Sequence, residues 1–262
     1  MKYYKSENEI IKFSGKDSLD FLQRLSTNDC KKINENEILQ TCLLNEKGKL
    51  IALLNISNYE NNLFAMIDNG LSEIVINHLN KFIILEDVKI EKVNNIEIYI
   101  LINNNEIDSK FIFKNYFNWQ IILEFDKRKI DLNKYSEIDK DEYEKERIFN
   151  GRAVYPNEIN NNYSPFDINL SHTISFTKGC YLGQEVIARI DTYKKNKWNL
   201  VLLKSDKMNE AIIFINKVEI GKSTSYIFYE NKYLYLAIIN INYINNEMID
   251  NNGNLFILEK VF

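Results

Sequence analysis

The chain has 262 residues, of which 45% are hydrophobic and 27% charged, with a formal net charge of −4. This composition predicts one to three compact folded units, and the charge argues against a globally basic nucleic-acid-binding protein. Three cysteines without a C-x-x-C spacing indicate neither a disulfide framework nor a zinc site. Because no apolar run approaches the length of a membrane span and the N-terminus lacks a signal-peptide core, we expect a cytoplasmic protein without a membrane partner.

The first part of the chain alternates short strands with two amphipathic helices. The first helix is predicted at 17–26 with Asp17 as its N-cap, and the second follows Gly70. Asn45-Glu46-Lys47-Gly48 is typical of a hairpin turn. Strands are predicted at 10–13, 38–44, 49–56, 63–67, 88–93, 96–102 and 119–125.

The second part begins with a charged helix at 139–149. Its inner side is predicted to be formed by Tyr143, Arg147 and Ile148. From 152 to 179 no periodicity is present, and a segment of this length without regular structure is more often functional than idle. A helix at 183–191 follows. The spacing of the later strands predicts a small antiparallel barrel; they are expected at 198–203, 211–214, 218–220, 226–229, 233–241 and 255–258.

The segment 178–185 reads Lys-Gly-Cys-Tyr-Leu-Gly-Gln-Glu and contains two of the eight glycines and one of the three cysteines. Gly179 and Gly183 bracket the cysteine and permit close approach of another backbone. Lys178 and the free N–H groups at the start of the next helix favour the thiolate form of Cys180. We therefore predict that Cys180 is a reactive thiol.

The other cysteines and the histidines have simpler interpretations. Cys30 and Cys42, in helix-end and strand contexts, are predicted to be packing residues. A hydrolase nucleophile is disfavoured because His78 and His172 are the only imidazoles, and the first lies on an amphipathic helix. His172 is interpreted as a hydrogen-bonded structural residue of the irregular loop. Two histidines and scattered cysteines do not predict a metal site.

Three polar residues lie on the first two turns of the helix after Cys180. Glu185 and Arg189 are four residues apart, which is typical of a surface ion pair. The functional alternative is that Gln184 and Glu185 order the cysteine turn, while Arg189 attracts a carboxylate ligand. The sequence leaves both interpretations open.

The octapeptide 178–185 resembles, nearly letter for letter, the signature of the YgfZ family. These are folate-binding proteins related to the glycine-cleavage aminomethyltransferases and associated with iron–sulfur cluster assembly or repair. Other segments are similar to family motifs and occur in the same order, so that the resemblance covers about residues 10–260. They are Phe21-Leu22-Gln23, Thr27-Asn28-Asp29, 45–49, 147–151, 165–170 and 174–177.

The resemblance implies an α+β protein in which three subdomains form a ring around a central folate cavity. Residues 1–194 would form the folate-binding region, as two interleaved α+β subdomains, and 195–262 the C-terminal antiparallel β-barrel. The implied cofactor is tetrahydrofolate or a derivative, because a carboxylate binds the adjacent N–H donors of a pterin and cations bind the glutamate tail. The implied ligand contacts are Asn28, Arg147, Asp167, Tyr181, Gln184, Glu185 and Arg189, with Cys180 and Lys178 as the reactive groups.

Two departures from the family pattern bear on the activity. In the aminomethyltransferase relatives a Glu at the position of Asp167 holds the pterin, so the carboxylate here is one methylene shorter. Those relatives also place a catalytic Asp shortly after the first hairpin turn, whereas the matching stretch 50–53 contains no acid. This absence argues against aminomethyl transfer.

The resemblance therefore implies a folate-binding accessory factor for iron–sulfur proteins. Its expected partners are folate and iron–sulfur or cluster-assembly proteins, without nucleic acid or a resident metal, and we expect a monomer. One alternative is a folate-dependent one-carbon transferase. The other is a non-catalytic binding scaffold in which Cys180 is buried and inert.

Overall fold

A computed structural model of the chain describes residues 2–34, 37–102, 113–114, 119–124, 131–193, 196–209, 211–244 and 247–262. The contacts divide the chain into two compact units. Unit 1 comprises Met1–Asp139 and Thr173–Gln184, and unit 2 comprises Lys140–His172 and Glu185–Phe262.

The described residues form four α-helices, and each of them was predicted from the sequence. None is long and apolar enough to cross a membrane within the described ranges. They are α1 (Ser18–Leu25), α2 (Ser72–Asn80), α3 (Lys140–Phe149) and α4 (Gln184–Tyr193).

Helix α1 buries one face, because Phe21, Leu22 and Leu25 recur at helical spacing. Asp17 occupies the N-cap position, but the prediction that its side chain caps the helix is wrong. Its carboxylate accepts a hydrogen bond from the backbone N–H of Asp87 instead, at 2.8 Å. Asp17 therefore ties the start of α1 to the loop that follows α2.

Unit 1 contains two five-stranded sheets. One has the order β3-β4-β5-β2-β6 and the other β10-β1-β7-β9-β8. All paired strands are antiparallel except β1 and β10, which are parallel. The strands are β1 (Lys2–Lys5), β2 (Glu9–Ser14), β3 (Leu39–Leu44), β4 (Leu50–Tyr59), β5 (Asn62–Ile67), β6 (Lys89–Val93), β7 (Glu97–Ile102), β8 (Phe113–Lys114), β9 (Gln120–Glu124) and β10 (Ser136–Glu137).

The two sheets of unit 1 share a hydrophobic core. Ile10 and Met66 come from the first sheet, and Ile98 and Ile121 from the second, and all four are buried in one cluster. Their strands have long apolar runs, as expected for sheets that pack face to face. The chain begins in the second sheet with β1, forms the first with β2 to β6 and returns with β7.

Unit 2 contains a closed six-stranded barrel in the order β11-β14-β13-β12-β15-β16, as predicted. Side chains that alternate along the strands fill its interior, among them Leu203, Ile213, Tyr235 and Phe256. The strands are β11 (Trp198–Ser205), β12 (Ile212–Ile215), β13 (Val218–Tyr229), β14 (Lys232–Asn240), β15 (Met248–Ile249) and β16 (Leu255–Val261).

Strand β13 was predicted as two strands, 218–220 and 226–229, and this prediction is wrong. The intervening residues are small or polar and lack the apolar alternation of a strand, yet their backbone continues to pair with β14. The register shifts between Ser223 and Ser225, so Thr224 is the extra residue of a β-bulge. This bulge shapes the buried site described below.

Other differences concern short elements. The sequence predicted neither β1 nor the two-residue strands β8, β10 and β15, because such pieces carry almost no periodic signal. The segment predicted to be irregular contains only two 3-10 turns, Pro165–Ile168 and Ser171–Thr173. Phe125, at the predicted end of β9, lies outside the described residues. The α+β class and the barrel are confirmed, while the ring, the cavity and the boundary at 194/195 stay predictions.

Candidate functional site

The segment 178–185 forms a turn that leads into α4. Gly183 has a φ of +83°, and a Cβ there would lie 2.8 Å from the carbonyl oxygen of Asn45. Any other residue at this position would be strained and would collide with the 45–48 hairpin turn. Gly179 differs, because a Cβ built on it meets nothing within 4 Å. The predicted close backbone approach therefore occurs at Gly183 alone.

The side chain of Lys178 is directed at the C-terminal end of α1. Its Nζ donates hydrogen bonds to the carbonyl oxygens of Gln23, Ser26 and Asn28, at 2.5, 2.7 and 2.8 Å. The ring of Tyr181 lies 5.2 Å from the same nitrogen. Burial lowers the pKa of Lys178, although the nearby side chains of Cys30 and Asp29 act in the opposite direction. The ammonium is thus enclosed by carbonyl oxygens and an aromatic ring.

Cys180 is exposed and follows Lys178 by two residues. The next residue, Tyr181, is buried, and its burial together with the nearby side chain of Cys42 raises the pKa of Tyr181 to about 12. The backbone N–H of Leu182 then donates to the carbonyl oxygen of Arg24, at 3.3 Å. The thiol therefore lies on a short span that is attached to α1 on both sides.

The other two cysteines are completely buried. The Sγ of Cys30 lies 3.2 Å from the hydroxyl of Ser26, and that of Cys42 lies 3.1 Å from the hydroxyl of Thr173. Burial raises the pKa of Cys30, and it raises that of Cys42 to about 12. Both residues fit the packing role predicted for them.

Asn28 connects the end of α1 to β3. Its side-chain amide donates to the carbonyl oxygen of Gln40 at 2.8 Å, and its Oδ1 accepts from the N–H of Asp29 at 2.9 Å. Its backbone carbonyl accepts from Lys178. The polar atoms of this residue hold the backbone in place, and the structure brings it together with Lys178 and Tyr181 in unit 1.

In unit 2, Arg147 lies on the buried side of α3, as predicted. Its Nε donates to Glu144 at 2.8 Å, and one terminal nitrogen donates to the carbonyl oxygen of Arg152 at 3.1 Å. The same nitrogen lies 3.4 Å from a carboxylate oxygen of Glu158. Its guanidinium is thus bound by groups of its own unit.

Glu158 is a buried partner of Arg147 that the sequence did not predict. Its side chain is completely inaccessible to solvent, and one oxygen accepts from the backbone N–H of Val154 at 3.1 Å. The other accepts from the hydroxyls of Thr224 and Ser225. Consecutive residues of a regular strand point to opposite faces, so the bulge is what lets both hydroxyls reach one carboxylate.

Asp167 is buried in the 3-10 turn Pro165–Ile168 of unit 2. Its Oδ2 accepts from the backbone N–H and the hydroxyl of Ser164, at 2.8 and 2.7 Å, in a capping box. Asn169 ends the turn in the left-handed conformation, with a φ of 62°. The carboxylate that the resemblance assigns to the pterin is therefore held in a fixed orientation.

Three further predicted residues lie on α4. Gln184 is half-buried, while Glu185 and Arg189 are exposed. His172 lies outside this helix, half-buried in the turn Ser171–Thr173, and burial lowers its pKa. Within the described ranges, no three His, Cys, Asp or Glu side chains form a group that could hold a metal ion.

Some residues of these sites could be predicted from the sequence, and others could not because their partners are distant in the chain or belong to the backbone. The octapeptide carries its own signal in its glycines and its cysteine. Glu158 has none, because its hydroxyl partners are 66 and 67 residues away in the chain. The carbonyl acceptors of Lys178 are invisible in the sequence, since every residue has a backbone carbonyl.

No family model matches the chain. It is 29% identical over 229 residues to the tRNA-modifying protein YgfZ of Buchnera aphidicola subsp. Schizaphis graminum, which covers 75% of this chain and 70% of the relative. A second YgfZ, from Buchnera aphidicola subsp. Baizongia pistaciae, is 29% identical over 219 residues, or 72% of this chain and 68% of the relative.

Two aminomethyltransferases are also similar. That of Caldanaerobacter subterraneus subsp. tengcongensis is 42% identical over 62 residues, so the match spans 24% of this chain and only 16% of the relative. The solved structure of the glycine cleavage system aminomethyltransferase T from Bartonella henselae matches 98% of this chain and 84% of its own. The TM-score is 0.79 at 14% sequence identity, which shows the fold. The chain is thus similar to YgfZ proteins over most of its length, and its fold is that of the aminomethyltransferase.

Proposed function

We propose that this protein is a folate-binding accessory factor that supports the assembly or repair of iron–sulfur proteins, with Cys180 as its reactive thiol. The observation that carries the proposal is the contrast among the three cysteines. Cys180 is exposed on a doubly attached span, whereas Cys30 and Cys42 are buried and have raised pKa values. An exposed thiol on a fixed span is the arrangement that a thiol chemistry with a partner protein requires.

Two of the residues that would hold a folate belong to unit 2. Asp167, already oriented by Ser164, would bind the N–H donors of the pterin, and the exposed guanidinium of Arg189 would attract the glutamate tail. Arg147 has its donors bound within unit 2, so its contribution would be to hold the loop in place. When bound, a reduced folate would supply a carrier for one-carbon units.

The folate part of the proposal is tested by titrating the purified protein with tetrahydrofolate. We expect Asp167→Asn to weaken tetrahydrofolate binding about 10-fold or more, because a neutral amide cannot replace the charge-assisted hydrogen bonds between a carboxylate and the pterin N–H donors. Asp141→Asn, an exposed acid on α3, is the matched control and should leave the affinity unchanged. Equal affinity in all three proteins would exclude Asp167 as the pterin ligand.

The thiol part is tested separately with Cys180→Ser. This variant should fold and should keep its folate affinity within about 3-fold, since a hydroxyl replaces an exposed thiol of similar size. It should fail to restore the activity of an oxidant-inactivated iron–sulfur enzyme in cells that lack the protein. Full restoration by Cys180→Ser would remove the thiol from the function and favour the non-catalytic scaffold.

The YgfZ relatives are named tRNA-modifying proteins. We infer that any link of this chain to tRNA modification runs through client enzymes, because a net charge of −4 gives no general attraction for RNA phosphates. Direct tRNA binding with a steep salt dependence would contradict this inference.

A folate-dependent one-carbon transferase is the second candidate, favoured by the similarity to the aminomethyltransferases. Against it, residues 50–53 at the start of β4 are all apolar, and Leu50 and Ala52 are completely buried. We expect no steady formation of methylenetetrahydrofolate from an aminomethyl-lipoyl donor by this protein alone. Turnover in that assay would establish the transferase.

A further inference from the structure

We propose that Lys178 is a positioning residue, which fixes the span carrying Cys180 onto the end of α1 and acts on the thiol only through that placement. The inference rests on the proposed role of Cys180 as the reactive thiol. It assigns to Lys178 a different role from that of a cation acting directly on the thiol, which the sequence alone favoured.

The first step of the argument is the number of donors. An ammonium group has three N–H protons, and Lys178 has three acceptors, the carbonyl oxygens of Gln23, Ser26 and Asn28. Any hydrogen bond from this group to a thiolate or to a ligand carboxylate would have to replace one of these. The acceptors lie in the backbone, so they cannot turn away as a side chain does.

The second step is what the acceptors need. The last carbonyls of a helix have no partner within the helix and carry its negative end. The oxygen of Gln23 receives Lys178, and the oxygen of the next residue, Arg24, receives the N–H of Leu182. Two consecutive open carbonyls of α1 are thus satisfied by the same short segment. A lysine is well suited to this position because it also brings positive charge.

The third step is the placement of Cys180 between the two attachments. Lys178 precedes it by two residues and Leu182 follows it by two, and Gly183, which has a positive φ, comes directly after. Tyr181 is buried within the same span, with its ring against the ammonium. Only Gly179 and Cys180 in this stretch are exposed. The exposed thiol therefore lies in the middle of a span whose two ends are hydrogen-bonded to α1.

The test compares Lys178→Gln and Lys178→Arg with the control Lys31→Gln in the full-length protein. Lys31 is an exposed lysine just beyond α1 whose only described ion pair is with Asp20. Two quantities are measured: the amide hydrogen exchange of Leu182 and the pH dependence of Cys180 alkylation by iodoacetamide. Arginine keeps the charge but replaces the three tetrahedral donors with a planar fork, so it separates charge from geometry.

For a positioning residue, both Lys178 variants should accelerate the exchange of Leu182 by about 10-fold or more, because its bond to Arg24 is then free to open. The midpoint of the alkylation profile should move by less than about 0.3 pH unit, since no direct interaction with the thiol is lost. Lys31→Gln should match the wild type in both measurements.

Two results would overturn the inference. One is unchanged exchange of Leu182 in both Lys178 variants. The other is a midpoint that rises by about one pH unit or more in Lys178→Gln and returns to the wild-type value in Lys178→Arg, which marks a direct charge effect. If Lys178→Gln does not fold, the Leu182 exchange of Lys178→Arg decides alone. If Cys180→Ser keeps full function, the proposed function is wrong, but the exchange result for Leu182 remains valid.

Discussion

Two charged side chains secure the two ends of the irregular segment 152–179, and they do so by opposite means. Near its start, Glu158 of unit 2 is completely buried and is bound by a guanidinium, a backbone N–H and two hydroxyls. At its end, Lys178 of unit 1 is half-buried and is bound by three backbone carbonyls. One charge has a counter-charge within hydrogen-bonding distance, and the other is held by neutral dipoles.

This difference predicts how each anchor fails. When a buried carboxylate is removed, its charged partner stays buried with less counter-charge, so the penalty is large and spreads through unit 2. An ammonium held by helix-end carbonyls leaves groups that water can satisfy, because this site is only half-buried. We therefore expect loss of Glu158 to affect stability most, and loss of Lys178 to affect the local order around Cys180.

The largest effect is expected for Glu158→Ala, after which Glu144 is the one counter-charge left to the buried Arg147 among the described residues. We expect the free energy of unfolding of unit 2 to fall by about 4 kcal/mol. The measurement is urea unfolding followed by Trp198 fluorescence in a Trp119→Phe background, because these are the only tryptophans.

Glu219→Gln is the matched control for that measurement, since Glu219 is an exposed acid on the same strand as Thr224. It should change the free energy of unfolding by less than about 0.5 kcal/mol. A Glu158→Ala protein as stable as this control would mean that the buried carboxylate does not stabilise unit 2.

The next effect separates the cysteines of unit 1. With a pKa of about 12, Cys42 is almost entirely protonated at pH 8, and Cys30 is shifted in the same direction. Cys180 should therefore alkylate at least about 100-fold faster than either in the native protein. Mass-spectrometric mapping measures the order, and in urea all three should react at similar rates. Labelling of Cys30 or Cys42 before Cys180 would falsify the assignment of the reactive thiol.

A smaller effect tests whether the bulge and the carboxylate act together. Thr224→Val removes one hydroxyl donor of Glu158 and keeps the shape of the side chain. In a double-mutant cycle with Glu158→Gln, we expect a coupling energy of about 1–2 kcal/mol in the unfolding of unit 2. Additive effects would show that the two side chains contribute independently and that the bulge only happens to lie beside the carboxylate.

Much of this architecture was predictable from local patterns, and the anchors were not. The inner side of α3 followed from helical spacing at Tyr143, Arg147 and Ile148, and all three are buried. The barrel followed from alternation in short strands. Arg147 was also predicted to contact the ligand, which stays a prediction, and nothing in the sequence indicated its buried partner. Its partner Glu158 is inside a loop without periodicity, and the hydroxyls that complete the site belong to a bulge that looked like a gap between strands.

The smallest effect concerns a third charged anchor, which sharpens the comparison because it is a carboxylate near the surface. Glu86 accepts from the backbone N–H groups of Ile84 and Leu85 at 2.8 and 3.1 Å and pairs with Arg24 at 2.7 Å. The hydrogen bond from Arg24, aided by those backbone N–H groups, lowers the pKa of Glu86 to about 2. Because the pKa is lowered, the ionised Glu86 stabilises the loop at pH values above the ordinary pKa of 4.5. This contribution is lost as the pH falls toward 2.

Glu86→Gln should therefore accelerate amide exchange at Ile84 and Leu85 relative to the wild type at pH 6, and the two proteins should converge as the pH approaches 2. Since this site is open to water, global stability should stay close to that of the wild type. Glu46→Gln, an exposed acid of the 45–48 turn, is the control for charge alone and should leave both amides unchanged. If Glu86→Gln instead lowered global stability as much as Glu158→Ala, burial and an internal counter-charge would not be what separates the two carboxylates.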